Sequence, residues 1–117
     1  MSKITILGKY LELDLLEYQD AKRVEDAMSA FYQRVGKLEQ EQTSLSGQVL
    51  GYCTATMEVF NDIFGAGTDK KLFGDHTNLG LCAQAFGQLA EEITKKQPKK
   101  AQELFSKYLP ARQKDEP

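Results

Sequence analysis

The residues with chemical potential are concentrated between Phe60 and Leu79, in the stretch FNDIFGAGTDKKLFGDHTNL. A Walker A phosphate loop needs the pattern GxxxxGK[ST] between a buried strand and a helix, so that backbone amides surround the phosphates and the lysine reaches them. Here Gly67 follows a predicted helix, and Lys70 stands three residues beyond it. The spacing therefore argues against a nucleotide-binding loop.

His76 is the single histidine of the chain. Metal sites need several converging His, Cys or carboxylate ligands, and none is spaced locally for that purpose. A nucleophilic pair with Cys82 is disfavoured, because a step of six residues places the two side chains on different sides of a helix and no third group orients them. We therefore expect a non-enzymatic protein without metal or cofactor, in which His76 lies on a surface turn near a helix start.

The same stretch is better interpreted as a connection between helices. Gly65 is expected to end one helix in a left-handed cap. Thr68 is expected to cap a one-turn helix over Asp69–Phe73. Leu72 and Phe73 would then anchor this connection to the core.

The N-terminal sequence ITILGKYLELDL alternates apolar and polar residues on both sides of Gly8-Lys9. Alternation of period two around a glycine-containing turn predicts a β-hairpin, here over residues 3–15. Its apolar face should pack on the helices that follow, because an isolated hairpin is only marginally stable.

Three long apolar stripes follow, with steps of three and four residues that are typical of helices. The first begins after a capping-box pattern, Asp14 to Glu17, the second near Ser44 and the third near Thr77 or Asn78. The stripes consist of Ala21, Val24, Met28, Phe31, Val35 and Leu38; Leu45, Val49, Tyr52, Cys53, Met57, Phe60, Ile63 and Phe64; and Leu79, Cys82, Phe86, Leu89 and Ile93.

Gly47 and Gly51 lie inside the second helix at a spacing of four residues. Each costs about 1 kcal/mol of helix stability relative to alanine. Small residues there would permit close approach of another helix, or the pair is merely tolerated.

Near the end, Gln97-Pro98 interrupts the third helix, since the residue before proline is pushed out of helical space. A last short helix is predicted before Pro110, and residues 110–117 are predicted to form a disordered tail. The apolar face of that helix consists of Ala101, Leu104, Phe105 and Tyr108.

These patterns predict a mainly α (α+β) fold, an N-terminal β-hairpin followed by a bundle of three to four α-helices. A chain of 117 residues suggests one domain, assigned to residues 1–109 with the bundle over 16–109. Two cysteines are too few for a disulfide framework, and neither a signal peptide nor an apolar run of membrane length is evident. We expect a soluble protein of the cytoplasm.

The charge is unevenly distributed along the chain. The net charge of −2 disfavours a dedicated nucleic-acid-binding protein. The beginning is acidic and the end basic, which either supports head-to-tail contacts or reflects solvated helix faces. The basic residues of the end are Lys95, Lys96, Lys99, Lys100, Lys107, Arg112 and Lys114.

Several ordered motifs together resemble a family of small proteins encoded by tailed phages and prophages of Gram-positive bacteria. These are a glycine–lysine–tyrosine segment, a central motif that reads FGAGTDKKLFG, and a K-Y-x-P-x-R ending. Here they occupy Gly8 to Tyr10, Phe64 to Gly74, and Lys107 to Arg112, with Leu79, Cys82 and Ala85-Phe86 between the last two. Leu109 departs from the small polar residue expected before the proline.

The resemblance implies a tail assembly chaperone, which escorts the tape-measure protein while the tail tube polymerises and is usually absent from the finished virion. It also implies a bacterial host cytoplasm. The alternatives are a structural tail component retained in the virion, or a regulatory or nucleic-acid-binding adaptor that uses the basic end. We also expect a homo-oligomer. Partner-binding residues are predicted at Phe64, Leu72, Phe73, Phe105 and Tyr108.

Overall fold

The computed structural model describes residues 3–41, 43–96 and 104–108 of the chain. In chain order, its elements are β1 (Lys3–Ile6), β2 (Lys9–Glu12), α1 (Tyr18–Gln40), α2 (Leu45–Phe64), α3 (Thr68–Phe73) and α4 (Leu79–Lys96). This architecture confirms the predicted mainly α fold, in which an N-terminal hairpin precedes a helical bundle.

The two strands pair antiparallel, with Ile4 opposite Leu11 and Ile6 opposite Lys9. The turn residues are Leu7 and Gly8, one position earlier than the sequence suggested, and both have positive φ, 51° and 78°. Two successive positive φ values are the signature of a type I′ turn, whose twist matches that of the strands. Leucine adopts this conformation at a cost of about 1–2 kcal/mol.

A contact with α4 holds this turn in place. The backbone N–H of Leu7 donates to Oε1 of Gln88 at 2.7 Å. The alternating residues Ile4 and Ile6 are buried beneath the turn, which confirms the predicted apolar face of the hairpin. The hairpin is therefore part of the core and not an independent unit.

The capping box predicted from Asp14 to Glu17 is wrong. Helix α1 begins at Tyr18, and its N-cap, Glu17, makes no side-chain capping hydrogen bond. The Asp14 carboxylate accepts the backbone N–H of Leu16, and the backbone N–H of Asp14 donates to the carboxylate of Asp20. Local side-chain hydrogen bonds of Asp14 thus compete with helix formation and delay the helix start.

Helix α2 begins where the sequence indicated, and it packs on α1. The hydroxyl of its N-cap, Ser44, accepts the N–H of Gly47 at 3.1 Å. A Cβ at Gly51 would lie 2.6 Å from Cδ2 of Leu38, so this glycine permits the close approach of α1. A Cβ at Gly47 would instead meet the neighbouring side chain of Thr43, which is a local effect.

The connection after α2 differs in detail from the prediction. Gly65 ends α2 with φ 111° and ψ 156°, which is outside the left-handed helical region. The left-handed residue is Gly67, the N-cap of α3. Thr68 is therefore not the cap but the first residue of α3, where its hydroxyl donates to the Gly65 carbonyl. Asn61 supplies the capping oxygen, since its Oδ1 accepts the N–H of Asp69 at 2.9 Å.

Helix α4 starts at the predicted place. Oδ1 of Asn78 accepts the N–H of Leu81, and the Asn78 carbonyl accepts that of Cys82. Its Phe86 ring stacks on Phe31 of α1 with 4.3 Å between the ring centroids. Phe73 of the short helix α3 packs edge-on against the ring of Phe60.

One core unites the hairpin and all four helices. Among the described residues that are buried in it, seven belong to the predicted stripes, and Ala27, Ala55, Val59 and Ala85 lie beside those stripes. Two predicted stripe residues, Leu45 and Leu79, are exposed. The predicted breaking of the helix at Pro98, Ala101 of the last helix and the tail over 110–117 lie outside the described residues.

Candidate interaction surface

The histidine and the two cysteines, which are the chemistry-bearing residues of the sequence, lie in different environments. His76 is exposed on the turn between α3 and α4, as predicted. Cys53 of α2 and Cys82 of α4 are free thiols buried in the core. Burial and, after it, a hydrogen bond with Cys53 raise the pKa of Cys82 to about 12. A thiol with this pKa is protonated at neutral pH and is a poor nucleophile.

Across the residues that the structure describes, no group of three or more His, Cys, Asp or Glu side chains could hold a metal ion. In the same part of the chain, no helix is long and apolar enough to cross a membrane. The surface features that remain are apolar patches, and such patches often mark interaction sites.

The five residues predicted to bind a partner are divided between core and surface. Leu72 and Phe73 are only 5% and 3% exposed, so they are core residues and offer no surface to a partner. This burial corrects their assignment as binding residues and confirms their role as anchors. Phe64 is half-buried, whereas Phe105 and Tyr108 are exposed.

Phe64 lines a cavity of about 490 Å³ between the hairpin and α3. Its walls are largely polar and include Lys3, Glu12 and Lys71. The Lys71 ammonium donates to the carbonyl of Tyr10 at 3.1 Å, on strand β2. A lysine bound in this way helps shield a strand edge from pairing with another chain.

A more apolar depression lies between the C-terminal half of α1 and the N-terminal half of α2. Its volume is about 410 Å³. We call it the α1–α2 groove, and its apolar lining consists of Leu38, Gly47, Leu50, Gly51 and Ala55. Leu50 is 59% exposed, so a large aliphatic side chain borders the groove without a partner.

Charged residues form the rim of the α1–α2 groove. Nε of Arg34 lies 2.9 Å from a carboxylate oxygen of Glu58, and its Nη2 lies 3.7 Å from Asp62. Its Nη1 is buried and has no hydrogen-bond partner among the described residues. Lys37 and Glu41 also line the groove, so its rim carries charges of both signs.

A second exposed apolar surface lies near the C-terminus. Leu104, Phe105 and Tyr108 were predicted to form a packing face, but they are 50%, 57% and 73% exposed. The prediction is therefore wrong for packing within one copy. We call residues 104–108 the C-terminal segment.

The apolar stripe of α2 did not indicate Leu50, because Leu50 lies outside that stripe. The pair Gly47 and Gly51 could have indicated the groove. Residues without side chains on a helix surface leave a depression, and Leu50 lies between them on the chain. The first residue of the helix, Leu45, is 79% exposed near the same end.

The model of a family of unknown function, DUF6673, matches residues 7–116. Since this match spans nearly the whole sequence, the chain belongs to that family. No curated protein and no solved structure matches the chain at a significant level.

Proposed function

We propose that this protein is a non-catalytic phage tail morphogenesis factor, an assembly chaperone that binds the tape-measure protein in the cytoplasm of a bacterial host. The proposal joins the motif resemblance to a property of the surface. The observation that carries it is the exposed apolar lining of the α1–α2 groove, bordered by Leu50.

A groove between two helices is suited to an amphipathic helix. In this mode of recognition, apolar side chains spaced three and four residues apart enter the groove along one face of the bound helix. Leu38 and Leu50 would contact those side chains.

Such binding would shield apolar helices of a long client until the client is packed inside the tail tube. A chaperone needs affinity for many similar segments and not one precise fit. The small residues Gly47, Gly51 and Ala55 impose few steric constraints on what enters the groove. We also propose that the protein forms a homo-oligomer, in which Phe105 and Tyr108 take part in contacts.

The proposal is tested by co-expression with a tape-measure protein from the same genome. We expect the wild-type chain to keep the client soluble and to co-purify with it. Leu50→Lys should reduce the recovered complex by about tenfold, since it places a charge in an apolar contact worth roughly 1–2 kcal/mol. Leu16→Lys is the matched control, because Leu16 is 63% exposed at the other end of α1.

Two results would overturn the proposal. One is a client that aggregates equally with and without this protein. The other is a complex that Leu50→Lys and Leu16→Lys weaken to the same extent. Mass spectrometry of purified particles distinguishes the alternative, because abundant copies in mature tails would identify a structural tail component.

A further inference from the structure

Strand β2 has an outer edge that faces away from β1. The two-residue turn makes the pair that flanks it, Ile6 and Lys9, a hydrogen-bonded pair. Hydrogen-bonded and non-hydrogen-bonded pairs alternate along an antiparallel ladder. The backbone N–H and C=O groups of Tyr10 and Glu12 therefore point outward from the hairpin.

A side-chain contact from α3 agrees with this direction. The Lys71 ammonium donates to the outward carbonyl of Tyr10 at 3.1 Å. The cavity of about 490 Å³ between the hairpin and α3 lies along the same edge, and Tyr10, Leu11 and Glu12 line it. A strand edge that borders an open cavity can accept a further strand, because its backbone groups are arranged for an extended chain.

The cavity also offers a contact for one apolar side chain. Phe64, one of the residues predicted to bind a partner, is half-buried and lines the cavity together with Leu11. Leu11 points to the buried face of the hairpin, so a residue paired with Leu11 would point to that face and contact Phe64. The neighbours of that residue would point to the opposite face, because successive side chains of a strand alternate.

The charges along the cavity favour an acidic residue at one position. Lys3 is the direct cross-strand neighbour of Glu12, so these opposite charges lie side by side and offset each other. Lys71 forms no ion pair with the carboxylates of the described residues, and its ammonium is bound to a neutral carbonyl. This ammonium must leave the Tyr10 carbonyl when a strand pairs there, and a carboxylate on that strand would receive it.

We propose that β2 binds an extended segment of a partner protein as a third, antiparallel strand. The segment has an apolar residue opposite Leu11, followed directly by an acidic residue opposite Tyr10. The N–H of the acidic residue donates to the Tyr10 carbonyl, and its carboxylate pairs with the displaced Lys71 ammonium. This edge is separate from the α1–α2 groove, so the inference goes beyond the proposed function and does not depend on it.

The test titrates the full chain with the synthetic peptide acetyl-Thr-Thr-Val-Asp-Thr-amide. Its valine takes the apolar position and its aspartate the acidic one. We expect the amide NMR signals of Tyr10, Glu12 and Lys71 to shift, and hydrogen exchange at Tyr10 and Glu12 to slow. Leu50→Lys should bind the peptide like the wild type, because Leu50 borders the other site.

Methylation of single peptide nitrogens tests the register of the added strand. The N–H groups of the aspartate and of the threonine before the valine face β2, whereas that of the valine faces away. N-methylaspartate should weaken binding about tenfold, because it removes the hydrogen bond to the Tyr10 carbonyl. N-methylvaline is the matched control and should bind like the unmodified peptide.

Two lysine variants test the role of the charge. Replacing the peptide aspartate with asparagine should weaken binding to the wild type about threefold, which is typical of a partly exposed ion pair. In Lys71→Met the same replacement should have no effect. In Lys70→Met the threefold effect should persist, because Lys70 is exposed and does not line the cavity. Thermal melts establish that both variants are folded, and Lys71→Gln replaces Lys71→Met if the latter unfolds.

Four outcomes would overturn the inference. Unchanged signals of Tyr10 and Glu12 at millimolar peptide exclude strand addition. Equal losses with N-methylaspartate and N-methylvaline contradict the register. An effect of the peptide aspartate that persists in Lys71→Met assigns its carboxylate to another cation. Shifts of the same amide signals with protein concentration alone would show that a second copy occupies the edge.

Discussion

At the scale of single residues, Asp20 links three segments of the chain. Its carboxylate accepts the backbone N–H of Asp14 and a guanidinium N–H of Arg23, each at 2.9 Å. Nε of Arg23 in turn donates to the carbonyl of Ile63 in the last turn of α2. The exit of the hairpin, the start of α1 and the end of α2 are thereby connected.

This arrangement predicts a pH-dependent loss of stability in Asp20→Asn. The Asp14 N–H, and to a lesser extent Arg23, lower the pKa of Asp20 against the opposing effect of burial. A carboxyl whose pKa is lower in the folded state stabilises the fold above its unfolded pKa of about 4. That contribution is lost as the pH falls through the folded pKa.

The substitution should therefore cost about 1 kcal/mol at pH 7 and progressively less below pH 4. Urea unfolding of both proteins at pH 7 and pH 3 measures the difference. Asp26→Asn is the control, because the Asp26–Lys22 pair is exposed and should contribute little. Equal losses in the two variants would show that Asp20 has no special role.

At the scale of elements, the contact between α1 and α2 depends on Gly51. Glycine lowers the stability of an isolated helix by about 1 kcal/mol relative to alanine. At Gly51 this cost is offset by the close approach of Leu38, whose Cδ2 would lie 2.6 Å from an added Cβ. Gly36 of α1 has no atom within 4 Å of such a Cβ.

We predict unequal effects for two otherwise identical substitutions. Gly36→Ala should stabilise the protein by about 0.5–1 kcal/mol, which is the gain in helix propensity. Gly51→Ala should stabilise it less, because the end of the Leu38 side chain must move away from the added Cβ, and this movement offsets part of the propensity gain. Chemical denaturation of the two variants measures both effects.

A double variant checks the physical reason. Shortening Leu38 to alanine removes the atoms that an added Cβ would meet. Gly51→Ala should then give the full propensity gain when it is introduced into Leu38→Ala. An unchanged difference from Gly36→Ala in that background would assign it to another cause.

At the scale of the whole molecule, aromatic contacts connect the helices into one core. The Phe60 ring is fully buried and lies 6.2 Å from Phe64 and 6.1 Å from Phe73, measured between ring centroids. The stacked rings of Phe31 and Phe86 join α1 to α4. The aromatic residues of the C-terminal segment remain outside this core.

Alanine substitutions of Phe60 and of Phe105 should show which of the two side chains belongs to the core. Phe60→Ala should cost about 3–5 kcal/mol, because it removes a fully buried side chain and leaves a cavity. Phe105→Ala should leave the unfolding temperature nearly unchanged at a concentration where the protein is monomeric. Differential scanning calorimetry measures both effects, and a large loss in Phe105→Ala would show that this ring packs within its own chain.

The sequence by itself determined the order and type of the elements. Alternation around Gly8 indicated the hairpin, and the spacing of three and four residues indicated the helices. The starts near Ser44 and near Thr77 or Asn78 were correctly located, because short polar side chains act through local backbone geometry. Such local effects require no knowledge of the rest of the fold.

The tertiary structure alone decided which apolar residues are covered. An apolar stripe shows that a helix has an apolar face, but whether each side chain on that face is buried depends on where the neighbouring helices end. Leu72 and Phe73 were covered, whereas Leu45 and Phe105 were not. The meeting of Cys53 with Cys82 likewise depends on the packing of α2 against α4, which sequence spacing does not encode. The α1–α2 groove belongs to this second class, since two helices create it together.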